Sequence, residues 1–332
     1  MRRDVRYLLA VGVLALTTAW PAAAAPVVVP RTLVLAGAPR HLASVTWWGG
    51  TYGVADGNRV TIYMSARYPQ SDDVIQRWVA FFAALPHGRE LSLVTAYIAP
   101  LDEVEETCGS ENVLGCYGGQ KLIFPGETAA GIAPTSVAAH EYGHHIAANR
   151  TNAPWLAVDW GTKRWATGMA VCARVAANTA FPGDEGDNYS LNPGEAFAET
   201  YRTLVEGGDS WPIVDDSFRP DAAALAAVRE DVLEPWHGPA TKTIRVKFPP
   251  GRRTWATTIT AALDGDVVVD ARGPVEPSLV SADGKNRVLA RASWNGSGGK
   301  TIAYRDCGVR SFQVRARRDG PGTSFTLKIT TP

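Results

Sequence analysis

The chain has 332 residues, of which 45% are hydrophobic and 20% are charged, a composition that suits one large or two medium globular domains and excludes a disordered chain. The 33 basic and 33 acidic residues give a formal net charge of zero and a pI near 7. The total charge therefore favours neither nucleic acid nor an anionic membrane surface as a partner, and we expect neither.

The first 25 residues have the three parts of a secretory signal peptide. Three arginines lie among the first six residues, residues 7–19 form an apolar stretch, and Ala22–Ala25 supplies an Ala-x-Ala cleavage site. The apolar stretch is shorter than the ~20 residues that a membrane span needs. We therefore expect residues 1–25 to be a signal peptide, the mature protein to be secreted, and no segment to insert into a membrane.

The segment after the signal peptide alternates strand and helix patterns. A helix is predicted at Val74–Phe82, where apolar residues recur at helical spacing after Ser71 as a cap. Strands are predicted at Thr32–Leu35, Arg59–Ser65, Leu91–Ile98 and Lys121–Phe124. The last strand is predicted either to be the sheet edge along which an extended polypeptide pairs its backbone, or to be an ordinary edge strand.

Four cysteines in an exported chain fit two disulfides. Cys108 and Cys116 flank a turn-rich segment and would close a short loop, which leaves Cys172 and Cys307 for each other. The sequence does not fix this connectivity. A cysteine metal cluster is disfavoured because no Cys-x-x-Cys spacing is present.

A His-Glu-x-x-His motif, His140-Glu141-Tyr142-Gly143-His144, lies in a helical segment that runs from Thr135 to about Asn149. Residues four apart share one face of a helix, so His140 and His144 can bind one metal ion. Glu141 lies about 100° further round, where it can act as a general base on a water molecule at the open coordination position. His145 points away from that face, and we expect it to support a ligand or to lie at the helix end. An amphipathic helix with a satisfied His pair is the alternative.

Three tryptophans follow this helix at intervals of five residues, a spacing that fits neither helix nor strand. Trp155, Trp160 and Trp165 are predicted to be buried, with the wall of a substrate cleft as the alternative. A helix is predicted next, at Thr167–Ala177, and it carries one of the four cysteines.

A catalytic zinc site normally has three protein ligands, and the sequence offers several candidates for the third. The metzincin pattern needs a histidine where the chain has Arg150 and is excluded. Asp159 is a possible ligand that no second feature supports. Glu195 and Glu199 are better candidates because they share one face of a helix that begins after Asn192. Asn192-Pro193-Gly194-Glu195 also has the pattern of a capping box, which is the structural alternative for Glu195.

Helical periodicity ends near residue 234, and short alternating strands begin at residue 242 after a linker at residues 235–241. Seven or eight strands separated by turns such as Asp264-Gly265 indicate a jelly-roll-like β-sandwich over residues 242–332. This segment resembles the small β-sandwich domains found at the C-termini of secreted bacterial peptidases. Trp255 and Trp294 are predicted to be core residues, with contact to a cell wall or carbohydrate as the alternative.

The motif His140-Glu141-x-x-His144, followed by Asn192-Pro193-x-Glu195-x-Phe197-Ala198-Glu199, resembles the zincin metallopeptidases whose third ligand is a glutamate, of the type represented by the catalytic domain of anthrax lethal factor. The resemblance covers about residues 134–202. It implies an α+β fold, with a zincin-like catalytic domain at residues 26–234 before the all-β sandwich domain. It also implies that Glu195 is the third ligand and that Tyr189 donates to the developing oxyanion. Tyr189 lies one residue nearer Glu195 than in that type.

The implied function is a zinc-dependent peptidase that hydrolyses peptide or protein substrates, with Zn²⁺ as cofactor and Glu141 as general base. His237 is a second, weaker candidate for the oxyanion donor, and Glu199 is a candidate to orient one of the two histidine ligands. Two alternatives remain: a catalytically silent zincin fold, or a secreted protein that binds a cell wall or carbohydrate through its C-terminal β-sandwich.

Overall fold

The computed structural model describes residues 45–332, except residues 112, 296 and 297. The predicted signal peptide and the strand predicted at Thr32–Leu35 lie outside the described residues. The described part of the chain has a mixed α+β architecture with helices and three β-sheets. The predicted α+β class is confirmed at this level, and the domain boundaries stay predictions.

The first sheet lies in the N-terminal half of the chain. Its strands are β1 (Trp47–Gly53), β2 (Arg59–Ser65), β3 (Thr95–Ala99), β4 (Cys116–Gly118) and β5 (Lys121–Pro125). The strand order is β1-β2-β3-β5-β4, with β2, β3 and β5 parallel and both outer strands antiparallel to their neighbours. The prediction that the strand at Lys121–Phe124 forms the sheet edge is wrong, because β5 pairs on both sides. The short strand β4 occupies that edge instead.

The strand predicted at Leu91–Ile98 is wrong in its first half. Residues Arg89–Leu93 form a 3-10 helix, and β3 begins only at Thr95. The turn is fixed by the buried carboxylate of Glu90, which accepts a hydrogen bond from the Gly88 N–H (2.6 Å) and pairs with Arg150 (2.9 Å). The ion pair joins residues 60 positions apart in the chain, which local periodicity does not encode.

The described residues form eight α-helices, all of them before the C-terminal sheets. They are α1 (Asp72–Ala84), α2 (Leu101–Cys108), α3 (Pro134–Ala148), α4 (Ala157–Trp160), α5 (Lys163–Gly168), α6 (Val171–Ala176), α7 (Pro193–Glu206) and α8 (Ala222–Leu233). The helix predicted at Val74–Phe82 lies inside α1. The single helix predicted at Thr167–Ala177 is two helices, because Ala170 adopts a left-handed conformation (φ 53°) between α5 and α6.

Helix α3 lies at the centre of the first hydrophobic core, between β5 on one side and α7 on the other. Every residue from Val137 to Ala147 is buried, so α3 has no face toward solvent. A helix in this position is normally apolar all round. The histidines and the glutamate of the motif are therefore buried polar groups, and each of them must find a partner inside the protein.

The C-terminal third of the chain forms two antiparallel sheets over a second hydrophobic core. Its strands are β6 (Ala240–Lys247), β7 (Thr254–Ala261), β8 (Gly265–Arg272), β9 (Val275–Ser281), β10 (Val288–Arg291), β11 (Ser293–Trp294), β12 (Gly299–Asp306), β13 (Arg310–Arg318) and β14 (Ser324–Thr331). One sheet has the order β10-β9-β13-β7 and the other β11-β12-β8-β14-β6. Alternate residues such as Val267, Phe312 and Leu327 are buried between the sheets, as expected of a β-sandwich.

Both predicted disulfides are present. Cys108 is bonded to Cys116 inside the first region, and Cys172 on α6 is bonded to Cys307 after β12. The second disulfide joins the helical region to the C-terminal sheets. The amine of Lys163 lies close to the same junction. It donates to Ala153 O (2.8 Å), lies over the Trp236 ring (4.5 Å) before β6, and would be 3.2 Å from a Cβ placed on Gly265 of β8. Over the part of the chain that the structure describes, no helix is long and apolar enough to span a membrane.

Candidate metal centre

Helix α3 presents His140, Glu141 and His144 because its sequence is compatible with a long, buried helix. Pro134 occupies the first helical turn, where its missing N–H is not needed, and several alanines follow it. The rings of His140 and His144 lie one turn apart, with centroids 5.0 Å from each other. The two histidines are therefore oriented toward one point by helix geometry alone.

Helix α7 brings the third residue of the group. Asn192 caps this helix by accepting a hydrogen bond from the Gly194 N–H (3.0 Å), and Pro193 is its first residue. The Asn192 N–H donates to Tyr189 O (3.0 Å), so the Glu195 carboxylate is not needed for a capping box. That carboxylate turns instead toward the two histidines of α3.

The three side chains meet in a fully buried cluster. His140 Nε2 lies 3.2 Å from Glu195 Oε2, and His144 Nε2 lies 3.4 Å from Glu195 Oε1. One donor atom from each residue lies within 4.8 Å of the other two. In a tetrahedral zinc site with bonds of about 2.0–2.2 Å, ligand atoms are about 3.3–3.6 Å apart. Two imidazoles and one carboxylate at these separations fit a zinc ion, and the group is consistent with a zincin-like site.

The electrostatics of the cluster favour positive charge. Burial alone would lower the pKa of His140, but its contacts with Glu195 and Glu199 raise that pKa to about 10. Burial alone would raise the pKa of Glu195, but His144 and His140 hold it far below its ordinary value. The Glu195 carboxylate is thus ionised, and the site favours a cation or bound protons next to it.

Glu141 lies beside this cluster with a carboxylate oxygen that has no hydrogen-bond partner among the described residues. Burial raises the pKa of Glu141 to about 8, and the charge of Glu195 adds to the effect. Gly115, just before β4, makes room for this carboxylate. A Cβ on Gly115 would lie 2.9 Å from Glu141 Oε1. Glu141 is therefore a buried, poised acid–base group next to the candidate ligands.

Tyr189 lies at the same cluster, as the resemblance implies, although its hydroxyl has a different partner from the expected oxyanion. It donates a 2.6 Å hydrogen bond to Glu195 Oε2. Tyr189 belongs to a 3-10 turn, Tyr189–Leu191, directly before α7, and its side chain is almost completely buried. The hydroxyl is thus within reach of both the candidate ligand and any group bound next to it.

Glu199 lies one turn after Glu195 and faces the other ring nitrogen of His140, with Oε2 3.5 Å from Nδ1. Its carboxylate is fixed by Arg202, whose guanidinium donates two hydrogen bonds (2.7 and 2.9 Å), and by the Trp211 N–H (2.6 Å). The Trp211 ring stacks on His140, with centroids 5.5 Å apart. Arg202 and Trp211 are not among the site residues predicted from the sequence. Only the position of Arg202, three residues after Glu199, could have suggested an ion pair.

The remaining candidates lie away from the cluster. Asp159, on α4, is not part of the metal-binding group found among the described residues. His145 is a residue of α3, but its ring points away from the cluster, and its Nε2 lies 2.8 Å from Glu90 O. His237 is exposed in the segment between α8 and β6, whereas the cluster is buried.

The tryptophans are divided between core and surface. Trp165 is completely buried, as predicted, whereas Trp155 and Trp160 are only partly buried and stack on each other with centroids 4.6 Å apart. In the C-terminal sheets, Trp255 packs against the second core, but Trp294 is 67% exposed and its predicted burial is wrong. Trp294 belongs to the two-residue edge strand β11, which is too short to be covered.

No family model matches the chain, and no curated protein matches it. Among solved structures, the chain is similar to the pre-peptidase C-terminal domain of a collagenase from Bacillus anthracis. The two are 12% identical, and the alignment covers 27% of this chain and 86% of that one, with a TM-score of 0.23.

Proposed function

We propose that the protein is a secreted zinc-dependent metallopeptidase that hydrolyses peptide bonds. The observation that carries the proposal is the buried group of His140, His144 and Glu195 and, beside it, a carboxylate oxygen of Glu141 with no hydrogen-bond partner among the described residues. A zinc ion held by the three residues would polarise a substrate carbonyl and lower the pKa of a nearby water toward 7. Glu141 would take the proton of the attacking water and pass it to the leaving amine.

Several other residues have roles in this proposal. Tyr189 would break its hydrogen bond to Glu195 and donate its hydroxyl hydrogen to the developing oxyanion. Glu199 would hold the His140 ring in its orientation. An extended substrate would pair its backbone with β4, because β4 is the edge strand on the side of α3. The two disulfides and the signal peptide predicted at residues 1–25 support secretion.

A catalytically silent zincin fold is the second candidate, and the burial of the site favours it. His140, Glu141, His144 and Glu195 are each at most 1% exposed. Structural zinc sites are closed, whereas catalytic sites keep a position for water. The intact Glu141 favours the peptidase, since a structural site has no use for a buried carboxylate beside its ligands.

The test measures metal content and peptide cleavage on the same preparations. We expect the wild-type protein to hold one zinc ion and to cleave a peptide library, and a chelator to abolish cleavage. Glu141→Gln should keep the zinc ion and lose activity. Glu195→Ala should lose stoichiometric zinc, whereas Glu199→Ala should weaken zinc affinity by about 10–100-fold.

Each result decides between the candidates. Stoichiometric zinc without cleavage in the wild-type protein would favour the silent fold. Full zinc occupancy in Glu195→Ala would contradict the assignment of the third ligand. Loss of zinc in Glu141→Gln would show that Glu141 binds the metal and is not the base.

A further inference from the structure

The neutral total charge of the chain conceals a strong separation of charge along it. Residues 240–332 contain 16 Lys and Arg and seven Asp and Glu, a formal charge of +9. Residues 1–239 contain 17 Lys and Arg and 26 Asp and Glu, a formal charge of −9. The C-terminal sheets are thus strongly basic, and the expectation that no field favours an anionic partner holds only for the chain as a whole.

Four of these cations lie together on the outer face of the C-terminal five-stranded sheet, β11-β12-β8-β14-β6. Arg245 and Lys247 are on β6, Arg272 is on β8, and Lys328 is on β14, which lies between the other two strands. All four are exposed, and alternate residues of the same strands are buried in the second core. We call these four residues the basic face.

The register sets the dimensions of the basic face. Thr326 on β14 is opposite Arg245 on one side and Arg272 on the other. With strands about 4.8 Å apart, the two arginines stand about 10 Å from each other across the sheet. Arg245 and Lys247 are two residues apart on β6 and therefore about 7 Å apart along the strand. The four charges cover an area that several repeating units of an extended chain can contact.

The cations of the basic face have no ion-pair partner among the described residues, in contrast to two other cations of the same sheet. Lys300 pairs with Glu276 and Asp319, and Arg305 pairs with Asp266. The acidic side chain closest in register to the basic face is that of Asp270, opposite Lys328, and it accepts a hydrogen bond from Thr301 Oγ1 (2.6 Å).

Hydroxyl groups lie between the cations. Thr243 is opposite Lys328, Ser324 is opposite Lys247, and Thr326 lies between the two arginines. Two adjoining grooves of about 440 and 400 Å³ run over this surface and share Arg272 and Thr326 as lining residues. The surface therefore offers cations for anionic groups and hydroxyls for neutral polar groups along one path, although Asp270 also lines the second groove.

The basic face is remote from the helical region that contains the candidate metal centre. Gly265, at the start of β8, lies against Lys163 of α5, whereas Arg272 is at the other end of the strand. Seven residues of strand separate them by about 24 Å. A polymer bound at the basic face would leave the candidate metal centre accessible.

We propose that the basic face binds an extended polymer of polyol phosphates. Phosphate groups match the unpaired lysine and arginine side chains, and the free hydroxyls of a polyol match Thr243, Ser324 and Thr326. Single-stranded nucleic acid is disfavoured because its bases stack on aromatic side chains, and the described outer-face residues between these cations carry none. A membrane surface is disfavoured for the same reason, since interfacial binding also uses large apolar side chains.

The experiment measures binding of the full-length protein to a synthetic poly(glycerol phosphate). The test variant replaces Arg245, Lys247, Arg272 and Lys328 by Gln. A matched control removes the same charge elsewhere in the basic region by replacing the exposed Lys285, Arg287, Arg291 and Arg317 by Gln. Dextran, polyglutamate, single-stranded DNA and phosphatidylglycerol vesicles serve as competing ligands, and thermal unfolding checks that each variant is folded.

We expect wild type and the control variant to bind poly(glycerol phosphate) with a strong salt dependence, with a slope of about −0.7 per phosphate contacted. The test variant should bind at least tenfold more weakly and lose most of that slope. Equal losses in the two variants, or equal binding of polyglutamate, DNA or vesicles by wild type, would overturn the proposal. If the fourfold variant does not fold, Arg245→Gln with Lys247→Gln on the exposed strand β6 must still lower the affinity. Zinc content should be unchanged in all variants, so this test is independent of the proposed peptidase activity.

Discussion

Helices α3 and α7 approach each other closely at Gly143, and this contact gives the sharpest test of the candidate metal centre. A Cβ on Gly143 would lie 2.7 Å from Ala198 Cα, 3.0 Å from Ala198 O and 3.2 Å from Ala198 Cβ. Ordinary contact begins at 3.4 Å, so Gly143→Ala must move α7 away from α3 by about 0.7 Å. Glu195 is one turn away from Ala198 on α7 and would move with it.

The expected effect on zinc binding follows from this displacement. Ligand distances in a metal site are tolerated within about 0.2 Å, so a shift of about 0.7 Å between Glu195 and the two histidines should lower zinc affinity by at least tenfold. The effect on stability is smaller. Overpacking costs about 1–3 kcal/mol, and the better helix propensity of alanine returns up to about 1 kcal/mol.

Zinc affinity is measured by competition with a chelating dye, and the free energy of unfolding of the metal-free protein by urea denaturation. Gly168→Ala is the matched control, because Gly168 is also helical and a Cβ there would have no neighbour within 4 Å. The control should gain up to about 1 kcal/mol of stability and keep its zinc affinity. A folded Gly143→Ala protein with wild-type zinc affinity would refute the assignment of the site to the contact between α3 and α7.

Three further predictions concern other parts of the molecule. Tyr189→Phe should lower turnover by about tenfold or more without loss of zinc if its hydroxyl serves the oxyanion, and an unchanged rate in a peptide cleavage assay would exclude that role. Replacing Cys172 and Cys307 by Ser should lower the free energy of unfolding, measured in urea, by about 2–5 kcal/mol, because this disulfide closes a loop of 135 residues in the unfolded chain. Burial lowers the pKa of Lys163 from 10.5 to about 8, against the opposing effect of nearby aspartates. The unfolded chain therefore holds one more proton between these pH values, so the stability of the wild-type protein should rise with pH in this window, and Lys163→Met should remove that rise.

The parts of the site that follow from local geometry could be predicted from the sequence. His140 and His144 share a face because they are one helical turn apart. Glu195 was predicted as the third ligand because its segment resembles a known ligand motif. Asn192 was correctly identified as a helix cap, but the choice between a cap and a ligand for Glu195 needed the structure. It depended on where the Tyr189 carbonyl and the two histidines lie, and no local pattern encodes that.

Contacts between distant segments could not be predicted. Trp211 lies 71 positions after His140, and its stacking on that ring depends on how the chain returns after α7. The edge strand β4 has only three residues, too few to show an alternating pattern. The sheet edge was therefore predicted at β5, whose pattern is stronger. The charge separation was different in kind. It is visible in the sequence, but the total of zero conceals it, and only the sheet register shows that Arg245 and Arg272 share one face.

The charges around the candidate metal centre connect its chemistry with the stability of the fold. Glu141, Glu195 and Glu199 are all buried there, and Arg202 forms an ion pair with Glu199 but with neither of the other two. Buried carboxylates without compensation cost several kcal/mol each, so the folded protein must take up protons or hold a cation in this cluster. The raised pKa values of His140 and Glu141 correspond to the uptake of protons. A divalent cation bound by His140, His144 and Glu195 would replace those protons, so its binding must release protons and stabilise the folded state. The same buried negative charge that would make the site reactive would thus make the fold depend on the metal.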